Sequence, residues 1–233
     1  LKTISLYCLL GLLFSYSIFN YSKKKEDESH NITENFIKLF KEASQIDEEK
    51  ILESPLKIIQ STKSFNKAPL RISVFADFQC EFCKILAENM LKILPLYKKK
   101  VNVQFFHYPM DKSCNPYVEH SLHPNACQAA QLSTAIKGDF HKFHDYLFDN
   151  QRNLSATWIK NLSVKKNVPD CFDDQENKKT IAKMIEVGEF IKLTGTPTMI
   201  INGRKLEGLF PPKYLKAIFD FALNEKLKLT TTS

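Results

Sequence analysis

Apolar positions along this chain follow several distinct rhythms. The first is continuous: from Ile4 to about Phe19 almost every residue is apolar, with no polar face, and Lys23, Lys24 and Lys25 close the run. At a terminus this pattern fits an export signal or a signal anchor, cleaved or retained. Helical spacing follows. Phe36, Leu39, Phe40 and Ala43 share one face, and Asn31 with Glu34 has capping-box spacing, so a helix is predicted to start near Asn31. A second short helix is predicted from Asp47, and Ser61 to Pro69 reads as a linker.

The rhythm then shortens. "LRISVFADF" from Leu70 and "VNVQFFHYP" from Val101 are apolar and β-rich, and predict strands. Between them Ile85, Leu86, Met90, Ile93 and Leu94 fall on one helical face that Pro95 ends. Helices are predicted over about 124–137, 140–151, 156–165 and 174–190. "TPTMIINGRKLEG" reads as paired strands joined at Asn202-Gly203, a hairpin signal. Pro211 and Pro212 open a last helix that buries Leu215, Ile218, Phe219 and Ala222. The order predicts an α/β domain, one mixed sheet covered by helices. Its expected divisions are a leader at 1–22, a charged linker with helices at 23–67, the main domain at 68–225 with a helical insertion at about 110–192, and a flexible tail at 226–233.

Composition supports a folded body: 43% of the 233 residues are apolar and 25% charged. The net charge of +7 comes from short lysine runs without interleaved aromatics. That pattern excludes a nucleic-acid platform and favours a solvated basic surface, with attraction to an anionic membrane second. An exported body lies where disulfides persist, which gives its cysteines meaning. There are six: Cys8 in the leader, then Cys80, Cys83, Cys114, Cys127 and Cys171. Five in the body leave one thiol free or transiently paired.

Cys80-Glu81-Phe82-Cys83 sits where a predicted strand meets a predicted helix. A sulfur at a helix N-terminus meets unpaired N–H groups and a favourable dipole, which stabilise the reactive thiolate. Cys80 is then the expected nucleophile and Cys83, one turn on, the resolving thiol. The nearest candidates to complete a zinc site are His120 and His123, whose own spacing is tighter than a finger's and whose spacer from Cys83 is far beyond the usual ~12–15 residues. A purely structural bridge here would close a tiny loop and stabilise little. Redox chemistry is the favoured reading.

With "VFADFQCEFCK", the later "GTPTMIING" (Gly195 to Gly203) and the helical block between them, the chain resembles the DsbA-like thiol–disulfide oxidoreductases of the thioredoxin superfamily. The resemblance covers about Ala68 to Leu223. It implies a thioredoxin-like fold with a helical insertion and Cys80–Cys83 as the redox pair. It also implies a cis peptide at Pro197 and a backbone at Thr196 that pairs with an extended substrate segment. No prosthetic group is required and no metal is expected. The implied partners are cysteine-containing proteins in the periplasm or cell envelope, with a quinone-linked membrane protein that reoxidises the pair. Disulfide formation is the leading direction. A reductase or isomerase on the same fold, and a copper- or protein-binding dithiol module without turnover, are the alternatives.

This sequence departs from that family at Glu81, where proline is usual, and at Phe82, where the strongest oxidases have histidine. A carboxylate beside Cys80 is expected to raise the thiol pKa. Asp77, three residues before Cys80, is read either as a proton relay or as a cap on the turn. Cys114 and Cys127 are read as a structural disulfide in preference to a second shuttle pair, and Cys171 as an inert thiol. His107, His120 and His123 are read as solvated. His141 and His144, three apart in one helix, are read as surface or packing residues.

Overall fold

The computed structural model describes the backbone of residues 2–231 and the side chains of residues 20–225. The chain forms two compact units, Leu1–Glu42 and Ala43–Ser233. The first is a single helix, α1 (Lys2–Glu42). It runs through Asn31, so the helix start expected there is absent. Between residues 20 and 42 there is no Gly or Pro to break it, and Lys and Glu favour continuation. Among the described residues no helix is long and apolar enough to cross a membrane. The side chains of the apolar leader, 4–19, and of the expected tail, 226–233, lie outside that set.

The second unit is built on a sheet of order β1-β3-β2-β4-β5. β2 (Leu70–Ala76) and β3 (Val101–His107) are its parallel centre, in register from Leu70↔Val101 to Ala76↔His107. Parallel neighbours need a crossover, and α2 (Glu81–Ile93) supplies it. Both strands are buried almost throughout, as expected of strands covered on both faces. β4 (Thr198–Ile201) pairs antiparallel with β2, and β5 (Arg204–Glu207) with β4. Asn202 and Gly203 turn that hairpin at φ 46° and 84°, the positive region such a two-residue loop requires. Asn202 also accepts the N–H of Arg71 on Oδ1 at 2.8 Å, tying the turn to β2.

β1 (Lys57–Gln60) is an edge strand antiparallel to β3 that the apolar pattern does not reveal. It has four residues, none fully buried, and carries little periodic signal. The stretch expected to be a linker is pinned as well. Asn102 accepts the N–H groups of Ser61 and Thr62 and donates to the carbonyls of Ser64 and Phe65. These residues belong to the same compact unit as the sheet.

The block between β3 and β4 holds α3 (Ala126–Ala135), α4 (Phe140–Asp149), α5 (Ala156–Lys165) and α6 (Gln175–Phe190). Asp139, Ser155 and Asp174 cap the last three with side-chain acceptors, which sets where each begins. α7 (Pro212–Thr231) closes the fold against α2. At α6, Gly188 packs against the ring of Tyr108, just past β3. The aromatic centre lies under α4, where Phe78, Phe105, Phe148 and His144 meet ring to ring.

Candidate active site

β2 ends at Ala76 and α2 starts at Glu81, so Cys80 is the residue that caps α2. Its Sγ accepts the backbone N–H of Cys83 at 3.2 Å, as an N-cap side chain does. The same sulfur is 3.4 Å from the carbonyl oxygen of Thr196. Both cysteines are free and buried. The Thr196–Pro197 peptide beside them is cis.

The two sulfurs are set far apart electrostatically. The Cys83 thiol, acting as hydrogen-bond donor, is the largest cause that lowers the Cys80 pKa. Burial opposes it, while the Thr196 side chain and the Cys83 N–H add to it. The outcome is a pKa of about 6 against an ordinary 9.0. Burial pushes the Cys83 thiol the other way, well above its ordinary value, and hydrogen bonding to Cys80 adds to this. Cys80 is thus a thiolate at neutral pH and Cys83 a thiol.

This corrects the expectation drawn from Glu81. Its side chain points to solvent, and Phe82 is 61% exposed. The negative charge that works against the thiolate is that of Asp77, and the donors around Cys80 outweigh it.

Asp77 is 2% exposed. Its Oδ1 accepts the N–H of Gln79 at 2.7 Å, and its Oδ2 the N–H of Met110 at 2.8 Å. Nδ1 of His123 lies 2.8 Å from the same Oδ2. His123, read as solvated, is therefore part of the site. Hydrogen bonding to Asp77 raises its pKa; burial opposes this, and the charges of Asp77 and Cys80 reinforce it. An imidazole of the helical insertion thus stands on the carboxylate three residues before Cys80, where the two residues between the cysteines supply none. The one sequence hint was Asp77 itself, since a carboxylate inside an apolar run needs a partner.

The insertion grips the cysteine loop at further points that sequence reasoning missed. Gln151 donates Nε2–H to the carbonyls of Phe78 and Cys80, at 2.8 and 2.9 Å. Gln79 accepts the N–H of Asn125 at 2.7 Å and donates to the carbonyl of Leu154 at 3.1 Å. Cys114 and Cys127 form a disulfide, Cα–Cα 5.8 Å, that ties the loop after β3 to the first turn of α3. It stands next to His123–Asn125 in the chain, so it also steadies that contact. Cys171 is buried away from the pair, its pKa raised by burial to about 11. His107, also read as solvated, is buried and bonded to Ser133 Oγ at 2.9 Å. Among the described residues no group of three or more His, Cys, Asp or Glu side chains is arranged to hold a metal ion.

A family model described as Thioredoxin matches residues 65–220, more than half of the chain. The chain belongs to the thioredoxin family. Within that family its fold is the DsbA-like one. The crystal structure of Wolbachia pipientis alpha-DsbA1 superposes with a TM-score of 0.62 at 19% identity, over 78% of this chain and 98% of that one. A periplasmic thioredoxin-like protein from Salmonella enterica serovar Typhimurium superposes with a TM-score of 0.59 at 21% identity, over 78% and 99%. By sequence, the Probable disulfide bond formation protein D of Bacillus cereus is 23% identical over 159 residues, covering 62% of this chain and 70% of that protein. The Na(+)/H(+) antiporter NhaA 3 of Salinispora tropica is 25% identical over 158 residues, 65% of this chain. That match takes in only 23% of the antiporter's length.

Proposed function

We propose that this chain is a thiol–disulfide oxidoreductase acting on cysteine-containing proteins outside the cytoplasm, and that it forms disulfides in them. The observation that carries the reading is the asymmetry of the pair: Cys80 at the start of α2 with a pKa of about 6, and Cys83 beneath it as a buried thiol. A substrate thiolate attacks Sγ of Cys80 in the Cys80–Cys83 disulfide. That bond breaks, its electron pair leaves on Sγ of Cys83, and Cys83 takes up a proton. A second substrate thiolate then attacks the substrate sulfur of the mixed disulfide, and Cys80 leaves as a thiolate. The two electrons end on the Cys80–Cys83 pair, and a quinone-linked membrane partner is the proposed acceptor that removes them.

Direction follows from the leaving group. A stabilised Cys80 thiolate stabilises the reduced pair and makes the disulfide a better oxidant. That favours oxidation over the reductase or isomerase alternative, which the charge of Asp77 supports more weakly. Thr196, half-exposed beside Cys80, is the proposed backbone platform for the substrate, with Pro197 holding it there. His123 is the proposed counter-charge to the Cys80 thiolate.

The test is trapping. Cys83→Ala in cells should accumulate mixed disulfides on Cys80, and the measured potential of the wild-type pair should lie on the oxidising side of thioredoxin, about −270 mV. An absence of trapped partners, together with exchange activity that survives Cys80→Ala, would overturn the reading.

A further inference from the structure

Cys83 is buried and must gain or lose a proton in every cycle of the exchange proposed above. We propose that His144 is the proton acceptor and donor of Cys83, and that Asp145 and His141 connect it to solvent. Cys83 and His144 line the same pocket. α2 contributes Cys83 with Leu86, Ala87 and Met90, and α4 contributes His141, His144 and Asp145. The strands bring only apolar groups to this lining: Ile58, Val74, Ala76 and Phe105. Cys80 and Asp77 of its own loop act on Cys83; the other titratable side chains on this pocket, His141, His144 and Asp145, all come from α4.

Those side chains form a line from inside to outside. The side chain of His144 is 5% exposed, that of Asp145 31% and that of His141 30%. Nδ1 of His144 lies 2.8 Å from Asp145 Oδ1. Asp145 Oδ2 lies 3.3 Å from Nε2 of His141, an ion-pair distance without hydrogen-bond alignment. With Nδ1 held by the carboxylate, Nε2 is the ring's second site for a proton. Besides Asp145, His141 acts on His144 and lowers its pKa; His107 of β3 is held neutral, burial and then the neighbouring His144 lowering its pKa to about 3. Burial also lowers the pKa of His144, with Asp145 opposing, so at rest the ring is neutral and free to accept.

When Cys83 must attack, its thiol proton passes to His144, directly or over one water. The imidazolium so formed is paired with Asp145 and passes its Nδ1 proton outward. The Cys83 thiolate attacks Sγ of Cys80 in the mixed disulfide, and the substrate sulfur leaves with the electron pair. In the oxidising direction the same line runs inward and protonates Cys83 as it leaves Cys80.

The proposal rests on the exchange reading, and one experiment separates the two. Reduced full-length protein is mixed with an aromatic disulfide reagent that releases a coloured thiol at each step. The first release reports attack by Cys80 and the second reports resolution by Cys83. His144→Gln should leave the first rate intact and slow the second about 10- to 100-fold at pH 7, a modest share of what a general base supplies. The deficit should shrink as pH rises and hydroxide takes over. Asp145→Asn, half-exposed, should show a smaller deficit with the same pH trend, and it keeps the test open should His144→Gln fail to fold. An unchanged second rate in a folded variant, or the same slowing at every pH, overturns the role of His144. Loss of the first release in wild type overturns the exchange reading instead.

Discussion

Nδ1 of His123 lies 2.8 Å from Oδ2 of Asp77, a carboxylate whose side chain is fully buried and sits three residues before Cys80. The pair joins the helical insertion to the cysteine loop through one charge-assisted contact, the stronger sort of hydrogen bond. Asp77→Asn keeps an acceptor for Gln79 and removes the one shared by Met110 and His123. Expected is a loss of about 1–3 kcal/mol, the usual penalty for an unsatisfied buried group. The sign with pH follows from His123, whose folded pKa is raised. Its contribution is complete below the unfolded value and is lost as pH rises through the folded one. Urea unfolding of wild type and variant at pH 5.5, 7 and 8.5 should therefore show the largest gap at the acid end.

His123→Gln should raise the pKa of Cys80 and lower the potential of the pair, while the fold is retained. Thiolate absorbance against pH reads the first and equilibration with glutathione the second. Unchanged values would reduce His123 to a structural tie.

Cys80 itself carries a pH signature. With a folded pKa of about 6 against 9.0, the reduced form gains stability as pH rises from 6 to 9 and loses it as pH falls through 6. Alkylation of the reduced protein should rise through pH 6 to a plateau on Cys80, with Cys83 unlabelled. Peptide mapping at each pH checks both statements.

Removing the Cys114–Cys127 disulfide by paired alanine substitution should cost about 3 kcal/mol, for a loop closed over a separation of 13 residues. Exchange at Cys80 should continue. Loss of activity in a protein that still melts cooperatively would point instead to a second shuttle pair.

Gly188→Ala tests how tightly the insertion is seated. A Cβ there would collide with the Tyr108 ring. Overpacking of this kind costs about 1–3 kcal/mol. Thermal melts should show the loss, and adding Tyr108→Leu should recover part of it.

Most elements were legible because their signals are local. α5 matches its expected span, Ala156–Lys165, since Ser155 caps it and the apolar spacing is helical. The β4–β5 hairpin is written in Asn202-Gly203, the residues its backbone requires. Cys80 and Cys83 could be singled out as a pair because a strand-to-helix junction gives C-x2-C its chemistry. β1 was not legible, because a half-buried edge strand of four residues is defined by its partner β3. The effect expected of Glu81 fails because adjacency in sequence is not adjacency in space. It is exposed, and the charge that acts on Cys80 is that of Asp77.

By itself the sequence determined the spans of several helices, the central strands, the hairpin turn and the placing of a sulfur at a helix start. Each follows from the conformational preferences of a few consecutive residues. Tertiary structure alone decided which distant groups meet that sulfur: Thr196 at 3.4 Å, Gln151 on the Cys80 carbonyl, and His123 on Asp77. It also decided that His144 shares a pocket with Cys83. Hydrogen bonding and burial act through space, and it is these that separate the acidities of the two thiols.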